Sequence, residues 1–598
     1  MENKAKEKKE RKPMGFWKTM LASTVGVVVA FLIVNLVWVC IMTMFLAGAV
    51  SGMGSSSSVT GNNLFVKLDM TRGIVECSEN EAIMSMMSTS KDMGMDQLMK
   101  AIEETKNDNR VAGLYLYFGS GGSASWAQSE ELRNALIDFK EACGKPIIAY
   151  SDNYSQADLY LASVADKVVL HPAGMVDFRG LGAEVMFYKD LLDKFDVKME
   201  LIRPVSNAYK SAGETYTMNH LSDANREQVR AYVTSVWNHV VEQMAQSRNL
   251  TPEQLNDFAD NLSACMAEDA VSKKLVDTLA LEKYVTDYME EAYQSKKMVA
   301  ATKYADSFKS KAKADKIAVI YAEGDVVSGK SNGFKTAVYG DDIAKALDEA
   351  ADDKSVKAIV LRVNSPGGGV LASEIMTAAV MRAKEKKPLV VSMSTLAASA
   401  GYEISCNADC IVAQPTTITG SIGVFAAFPM IGDALRNKLG ITTDTVNTNR
   451  NSTGMTMMRA LSPDARALMQ RNVEEFYVTF CERVAKGRNL DVKYVDSIAR
   501  GRVWTGAEAI KIGLVDTLGG MNTALAIAAD KAGISDYSVT NYPKAKKWYE
   551  SIMELGEESE EARIEARIEK LIPGYKELYY WATAEEMQAR LPYYIDIR

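Results

Sequence analysis

The chain has 598 residues, with 69 Lys and Arg against 77 Asp and Glu, a net charge of −8 with neutral histidines. That length allows roughly four domain-sized units, and 24% charged with 47% hydrophobic residues is a globular, not a disordered, composition. The acidic balance speaks against a general nucleic-acid binder. The three histidines, His171, His220 and His239, lie far from any glycine-rich serine turn, which excludes a histidine-based triad and a histidine-rich metal centre.

Residues 1–18 carry seven basic residues against Glu2, Glu7 and Glu10, a local charge of +4. No charged residue follows until Lys67, and Leu21 to Val50 is overwhelmingly apolar. Thirty helical residues at about 1.5 Å each exceed the roughly 30 Å hydrocarbon core, so residues 19–50 are expected to anchor the chain in a membrane. The basic flank puts the N-terminus in the cytoplasm and the rest outside it. Residues 51–63, rich in Gly and Ser, read as a flexible tether.

The remainder is duplicated. VAGLYLYFGSGG at Val111–Gly122 returns as VKAIVLRVNSPG at Val356–Gly367, and KPIIAYS at Lys145–Ser151 as KPLVVSM at Lys387–Met393. Arg-Asn-Leu recurs at 248 and 488, and LVDTL at 275 and 514. Ordered matches with offsets drifting from 245 to 239 mean two tandem domains. In each, a short apolar strand (Phe65–Leu68; Ile317–Tyr321) precedes an amphipathic helix, whose stripe in the second copy is Ile343, Ala346, Leu347 and Ala350. Continuous apolar strands follow at Ala358–Val363 and Leu389–Ser392, a pattern that predicts an α/β fold with parallel pairing. The boundaries drawn are 64–284 for the first repeat, 285–314 for a helical linker, 315–533 for the second repeat and 534–598 for a charged tail, read as solvated helix around Glu554–Glu569. Of the seven cysteines, Cys406 and Cys410 have the spacing of one helix face. Lacking further ligands nearby, all seven read as buried free thiols.

The copies differ at chemically informative points. The second has Asn364-Ser365-Pro366-Gly367-Gly368-Gly369, a turn able to offer backbone amides, and then Ala398-Ser399-Ala400-Gly401-Tyr402, a serine among small residues between a strand and a helix. Ser399 maps onto Ala157 of the first copy. Conversely, the first copy has Lys210 within Asn207–Gly213, where the second has Asn451. One half has kept a serine and the other a lysine.

These motifs, with Thr419-Gly420-Ser421-Ile422-Gly423 and the duplication itself, resemble the signal peptide peptidase A family in its long, membrane-anchored form, over roughly residues 15–530. The resemblance implies two tandem Clp protease/crotonase-like domains and a Ser/Lys-dyad serine peptidase that degrades released signal peptides. It assigns Ser399 as nucleophile, Lys210 as general base, Ser421 as the residue orienting the lysine, and Gly368 and Ala400 as oxyanion-hole amides. Where the family usually has Gly, this chain has Ala400, a residue expected to resist positive φ. The resemblance also implies a homo-oligomer, taken as a tetramer, at the cytoplasmic membrane with its catalytic domains periplasmic, using neither metal nor cofactor. A lysine with a reference pKa of about 10.4 serves as base only once burial destabilises its ammonium form. The alternatives are a crotonase-like acyl-CoA enzyme and a non-catalytic membrane scaffold.

Overall fold

The computed structural model describes residues 61–78, 92–122, 124–308, 314–331, 337–544 and 587–590, together with Leu36 and Val59. The chain divides into two compact units, 1–59 and 60–598; both repeats lie in the second. The basic segment, the expected membrane anchor and nearly all of the tether fall outside the described residues, among which no helix is long and apolar enough to cross a membrane.

In the first repeat, β1 (Leu64–Asp69), α1 (Met95–Asn107), β2 (Val111–Gly119), α2 (Trp126–Cys143), β3 (Ile147–Ser151), α3 (Gln156–Ala162) and β4 (Lys167–Leu170) alternate as the sequence predicts. Next come β5 (Lys198–Ile202), α4 (Asp223–Arg248), β6 (Thr278–Leu279), α5 (Glu282–Tyr293), β7 (Lys297–Ala300) and α6 (Ala301–Ser307). The sheet runs β6-β4-β3-β2-β1-β7 and is parallel throughout. The expected helical linker therefore contains a strand. Lys297–Ala300 pairs with Leu64–Lys67 and completes the first sheet.

The second repeat contains β8 (Asp315–Glu323), β9 (Val326–Val327), β10 (Val338–Tyr339), α7 (Gly340–Asp352), β11 (Val356–Ser365), β12 (Gly367–Gly369), α8 (Val370–Lys386), β13 (Leu389–Ala398) and α9 (Ala400–Glu403). It continues with β14 (Cys410–Ala413), β15 (Ile418–Gly420), β16 (Phe425–Met430), α10 (Pro463–Arg488), β17 (Val503–Thr505), β18 (Thr517–Leu518), α11 (Met521–Ala532) and β19 (Tyr537–Tyr542). Its strands β18-β14-β13-β11-β8-β19 repeat the order of the first sheet strand for strand, all parallel. The charged tail is thus not helix from its start, because Tyr537–Tyr542 closes the edge of this sheet. Glu554–Glu569 lies outside the described residues.

β11 is buried along nearly its whole length, as a central parallel strand covered on both faces must be. Ile343, Ala346, Leu347 and Ala350 of α7 are buried against it and its neighbours in one large apolar core. Full burial of a Leu or Ile stabilises by about 1.5–3 kcal/mol. The cysteines correct two readings. Cys410 begins β14 while Cys406 follows α9, so they share no helix. Among the described cysteines, Cys77, Cys406, Cys410 and Cys481 are buried, but Cys143 and Cys265 are partly exposed.

A charged cluster joins the repeats. Arg362, in the middle of β11, places Nε 2.8 Å from Glu76 and Nη2 2.7 Å from Glu131 of α2, and its Nη1 donates to Ser392 Oγ at 2.8 Å. All three charged side chains are buried. Glu131 also accepts from the Met521 amide at the start of α11. Burial and the proximity of Glu76 push the Glu323 carboxyl up to about 7. A third sheet, β10-β9-β12-β20-β16-β5, also draws on both repeats, with β20 being Met587–Arg590. Its β5 comes from the first repeat and pairs antiparallel with β16 of the second.

Candidate active site

β13 ends at Ala398, and Ser399 follows with φ 56° and ψ −117° before α9 starts at Ala400. Such a conformation costs a non-glycine residue about 1–3 kcal/mol and is held by its surroundings. Here the Ser399 amide donates to the Gly420 carbonyl at 2.8 Å, which ties the turn at Ser399 to the end of β15. Ser421, next along, also has positive φ, and its amide donates to Arg502 O at 2.7 Å. The left-handed residue is thus Ser399. Ala400 is the first residue of a helix, so the departure from glycine there meets no steric objection.

Lys210 arrives from the other repeat, in the irregular stretch after β5. Its neighbours are fixed by main-chain contacts: Tyr209 N–H donates to Arg500 O at 3.0 Å, and Arg203 Nη1 donates to the Lys210 carbonyl at 2.8 Å. Gln228 of α4 donates to Tyr209 O and to Ser211 Oγ, both at 3.0 Å. Gly501 lies against this segment so closely that a Cβ there would sit 2.5 Å from Lys210 Cα, and its φ of +81° also favours glycine.

The result brings three of the predicted residues together. Lys210 Nζ is 2.7 Å from Ser399 Oγ, 3.0 Å from Ser421 Oγ and 3.2 Å from the Ser421 carbonyl. Lys210, Ser399 and Ser421 have no solvent exposure. Burial alone holds the Lys210 ammonium far below the ordinary lysine range. Glu214, the nearest carboxylate in sequence, is engaged elsewhere: it accepts from Ser222 Oγ at 2.8 Å and from Asn225 Nδ2 at 3.1 Å. A neutral amine has two N–H bonds and one lone pair. In that form the two Ser421 oxygens can take the protons and leave the lone pair for the Ser399 hydroxyl, which also has the Gly423 carbonyl 3.4 Å away as an acceptor. That is the hydrogen-bonding state a general base requires.

Gly368 lies in β12, which follows β11 directly. The register Ser365↔Ala397 between β11 and β13 carries the glycine strand to the end of the sheet where Ser399 emerges. A Cβ at Gly368 would lie 2.0 Å from the Val326 carbonyl, so only glycine permits this pairing of β9 with β12. Ala157, the counterpart of Ser399, sits inside α3. Asn451, the counterpart of Lys210, is exposed and donates to Asp464. Three contributors escaped sequence reading: Gln228, Gly501 and Arg203. Nothing in their local sequence marks them: Arg203 and Gln228 reach the lysine segment from 7 and from 17–19 residues away, and Gly501 reaches it from the other repeat.

The sequence profile of peptidase family S49 matches residues 140–296 and 381–535. Protease 4 of Salmonella typhi is 35% identical over 489 residues, which cover 80% of this chain and 78% of that protein. Protease 4 of Haemophilus influenzae is 35% identical over 445 residues, 71% of each chain. Among solved structures, the membrane-bound stomatin-specific protease 1510-N aligns with 40% of this chain and 97% of its own, at 14% identity and a TM-score of 0.27.

Proposed function

Because this chain belongs to peptidase family S49 and is a serine protease of two tandem S49 regions, we propose that its chemistry is that of a Ser399/Lys210 dyad. The observation that carries this reading is the 2.7 Å contact between a buried, carboxylate-free lysine amine and a serine hydroxyl. Ser399 Oγ attacks the peptide carbonyl as Lys210 takes its proton. The amides of Gly368 and Ala400 receive the developing oxyanion. Lys210 then protonates the leaving amine, and the ester is released by a water that gives its proton to the same lysine. Ser421 keeps the amine aimed throughout, through the two oxygens it presents.

We further propose apolar, extended peptides as substrates, cleaved signal peptides foremost among them. The support is the third sheet, in which β12 and β16 flank one strand on both sides, so a guest would be read through its main chain. The uncharged run from Thr19 to Val66 and its basic flank support a single-pass anchor, cytoplasmic N-terminus and periplasmic domains. A homotetramer and independence from metal or cofactor complete the reading. The test is hydrolysis of a fluorogenic apolar peptide by the full chain in detergent. Ser399→Ala and Lys210→Ala are each expected to lose about 10³-fold or more in kcat; turnover by Ser399→Ala at the wild-type rate would remove the nucleophile assignment.

A further inference from the structure

The short helix after Ser399 rests on a buried charge. α9 is a single turn, too short to hold its own direction, yet it carries the Ala400 amide at its first position. Glu403, at the end of that turn, has no solvent exposure. Its amide donates to the Ser399 carbonyl at 2.8 Å. One of its carboxylate oxygens accepts from Ser373 Oγ at 2.7 Å, and the other accepts from Arg483 Nη1. Arg483, from α10, also holds Glu374 through both terminal nitrogens, at 2.9 and 2.8 Å. Ser373 and Glu374 stand at the start of α8, which begins directly after Gly367–Gly369. The network therefore ties the helix that carries the Ala400 amide to the helix that follows the Gly368 amide. The two backbones are already close: a Cβ at Gly401 would lie 2.8 Å from the Ser365 carbonyl.

The first repeat does without this pair. At the offset of 242 that sets Ala157 against Ser399, Leu161 stands against Glu403. At the offset of 240 given by Arg-Asn-Leu, Gln243 stands against Arg483. Ser129-Glu130 of α2 matches Ser373-Glu374 of α8, but Ser129 Oγ has no hydrogen-bond partner among the described residues. Leu161 is buried without any charge to compensate. Six parallel strands are built in the same order in both repeats, so the sheet does not demand a carboxylate at this place. Taking one out of water is unfavourable unless its partners make good the loss. The repeat that does so is the one that carries Ser399.

We propose that Glu403, locked by Arg483 and Ser373, is a positioning residue that fixes the Ala400 amide relative to the Gly368 amide and so sets the oxyanion hole. The inference rests on the dyad reading above. Glu403 touches no reacting atom. It acts through the one turn of α9, by holding the main chain from Ser399 to Glu403 against the start of α8. Donors stabilise an oxyanion best when they are fixed in place before the charge develops. A neutral side chain in this position leaves α9 attached only by apolar packing, and the two amides then share the oxyanion less well.

The test compares kcat, KM and the inhibition constant of a peptide aldehyde, whose adduct with a serine places an oxygen in the oxyanion hole, on the full chain in detergent. The double variant Glu403→Leu with Arg483→Gln installs the pair of the first repeat and removes the buried carboxylate together with its cation. It is expected to lose about 10²-fold in kcat, the order of one misplaced oxyanion donor. Its KM is expected to stay within about twofold, and the aldehyde is expected to bind more weakly by about the factor lost in kcat/KM. Glu403→Gln keeps the shape and the Ser373 contact and is expected to lose about tenfold in kcat. Thermal unfolding shows whether each variant is folded, and Glu403→Gln alone carries the same three readings if the double variant is not. Folded variants with wild-type kcat and aldehyde binding overturn the inference and leave the dyad standing. A lower maximal rate with unchanged aldehyde binding is what a smaller folded fraction gives, and it overturns the inference too. A change in KM alone overturns it by placing Glu403 in peptide binding. A wild type that does not cleave the peptide overturns both readings.

Discussion

The six strands of the first sheet recur in order in the second, which adds β15 and β17, yet only the second repeat has a serine held at positive φ after the strand corresponding to β3, and only the first a fully buried lysine among the described residues. In the second repeat the chain leaves β13 through Ser399 with positive φ. In the first, the corresponding stretch begins a regular helix capped by Ser155, with Ala157 inside it. In the first repeat the segment after β5 sinks its lysine into the partner repeat's site. In the second, the matching loop stays at the surface with Asn451 exposed. The fold is thus indifferent to the chemistry. The backbone at two loops decides it, and a composite site follows because each repeat retains one reactive loop.

The strongest way to break that comparison is to return the lost residue. A double variant, Lys210→Ala with Asn451→Lys, is expected to remain about 10³-fold or more below wild type in kcat, because a lysine at 451 would sit in water among Arg450 and Asp464, away from Ser399. Recovery of activity in the peptide assay would mean that the loops, and not the residues they place, are interchangeable.

The next test addresses how the repeats are held together. Arg362→Met leaves Glu76 and Glu131 buried without their cation, and loss of one partner of a buried ion pair costs about 3–5 kcal/mol. Thermal unfolding is expected to shift downward accordingly. A change within error would show that the repeats are joined by apolar contact and the shared sheet alone.

A smaller effect is expected at the contact behind the lysine. Gly501→Ala pushes a methyl group to within 2.5 Å of Lys210 Cα. Displacing a catalytic group by about 1 Å can cost about 10²-fold. The expected result is a fall of that order in kcat with KM little changed; a KM-only effect would place Gly501 in peptide binding instead.

What the sequence disclosed follows from what repetition discloses. Ser399 and Lys210 stood out because one copy had them and the other did not, and Gly368 because it lies in a glycine run after an apolar strand, whereas Ser421 was marked only by the family resemblance. The central strands were legible from unbroken apolar runs. The sheet edges were not: Lys297–Ala300 is only four residues long and Tyr537–Tyr542 is half polar, and only pairing with β1 and β8 makes them strands. Arg362 stands inside the strand read as continuously apolar, and its partners lie 286 and 231 residues away. Gln228 and Gly501 support the lysine only through the folded contact. The family match replaces the acyl-CoA and scaffold alternatives with a serine protease.

The smallest expected effect concerns Ser421, and here the pH dependence gives the sharper reading. Lys210 has its folded pKa lowered, so between that lowered value and the ordinary lysine value the unfolded chain binds a proton that the folded chain lacks. Stability from this group therefore increases as pH rises toward the ordinary lysine value, and decreases as pH falls toward the lowered one. In the proposed dyad activity follows the neutral amine, so kcat/KM is expected to rise with pH along a limb set by the lowered pKa. Ser421→Ala removes an oxygen that accepts from Nζ at 3.0 Å, leaving the Ser421 carbonyl at 3.2 Å. A hydroxyl oxygen accepts more strongly from an ammonium than from a neutral amine, so its loss lowers the pKa further. The variant is expected to lose about tenfold in kcat, in line with one hydrogen bond of about 1.5 kcal/mol, with the limb displaced to lower pH. A limb displaced upward would mean that Ser421 favours the neutral base and that the hydrogen-bond directions are reversed.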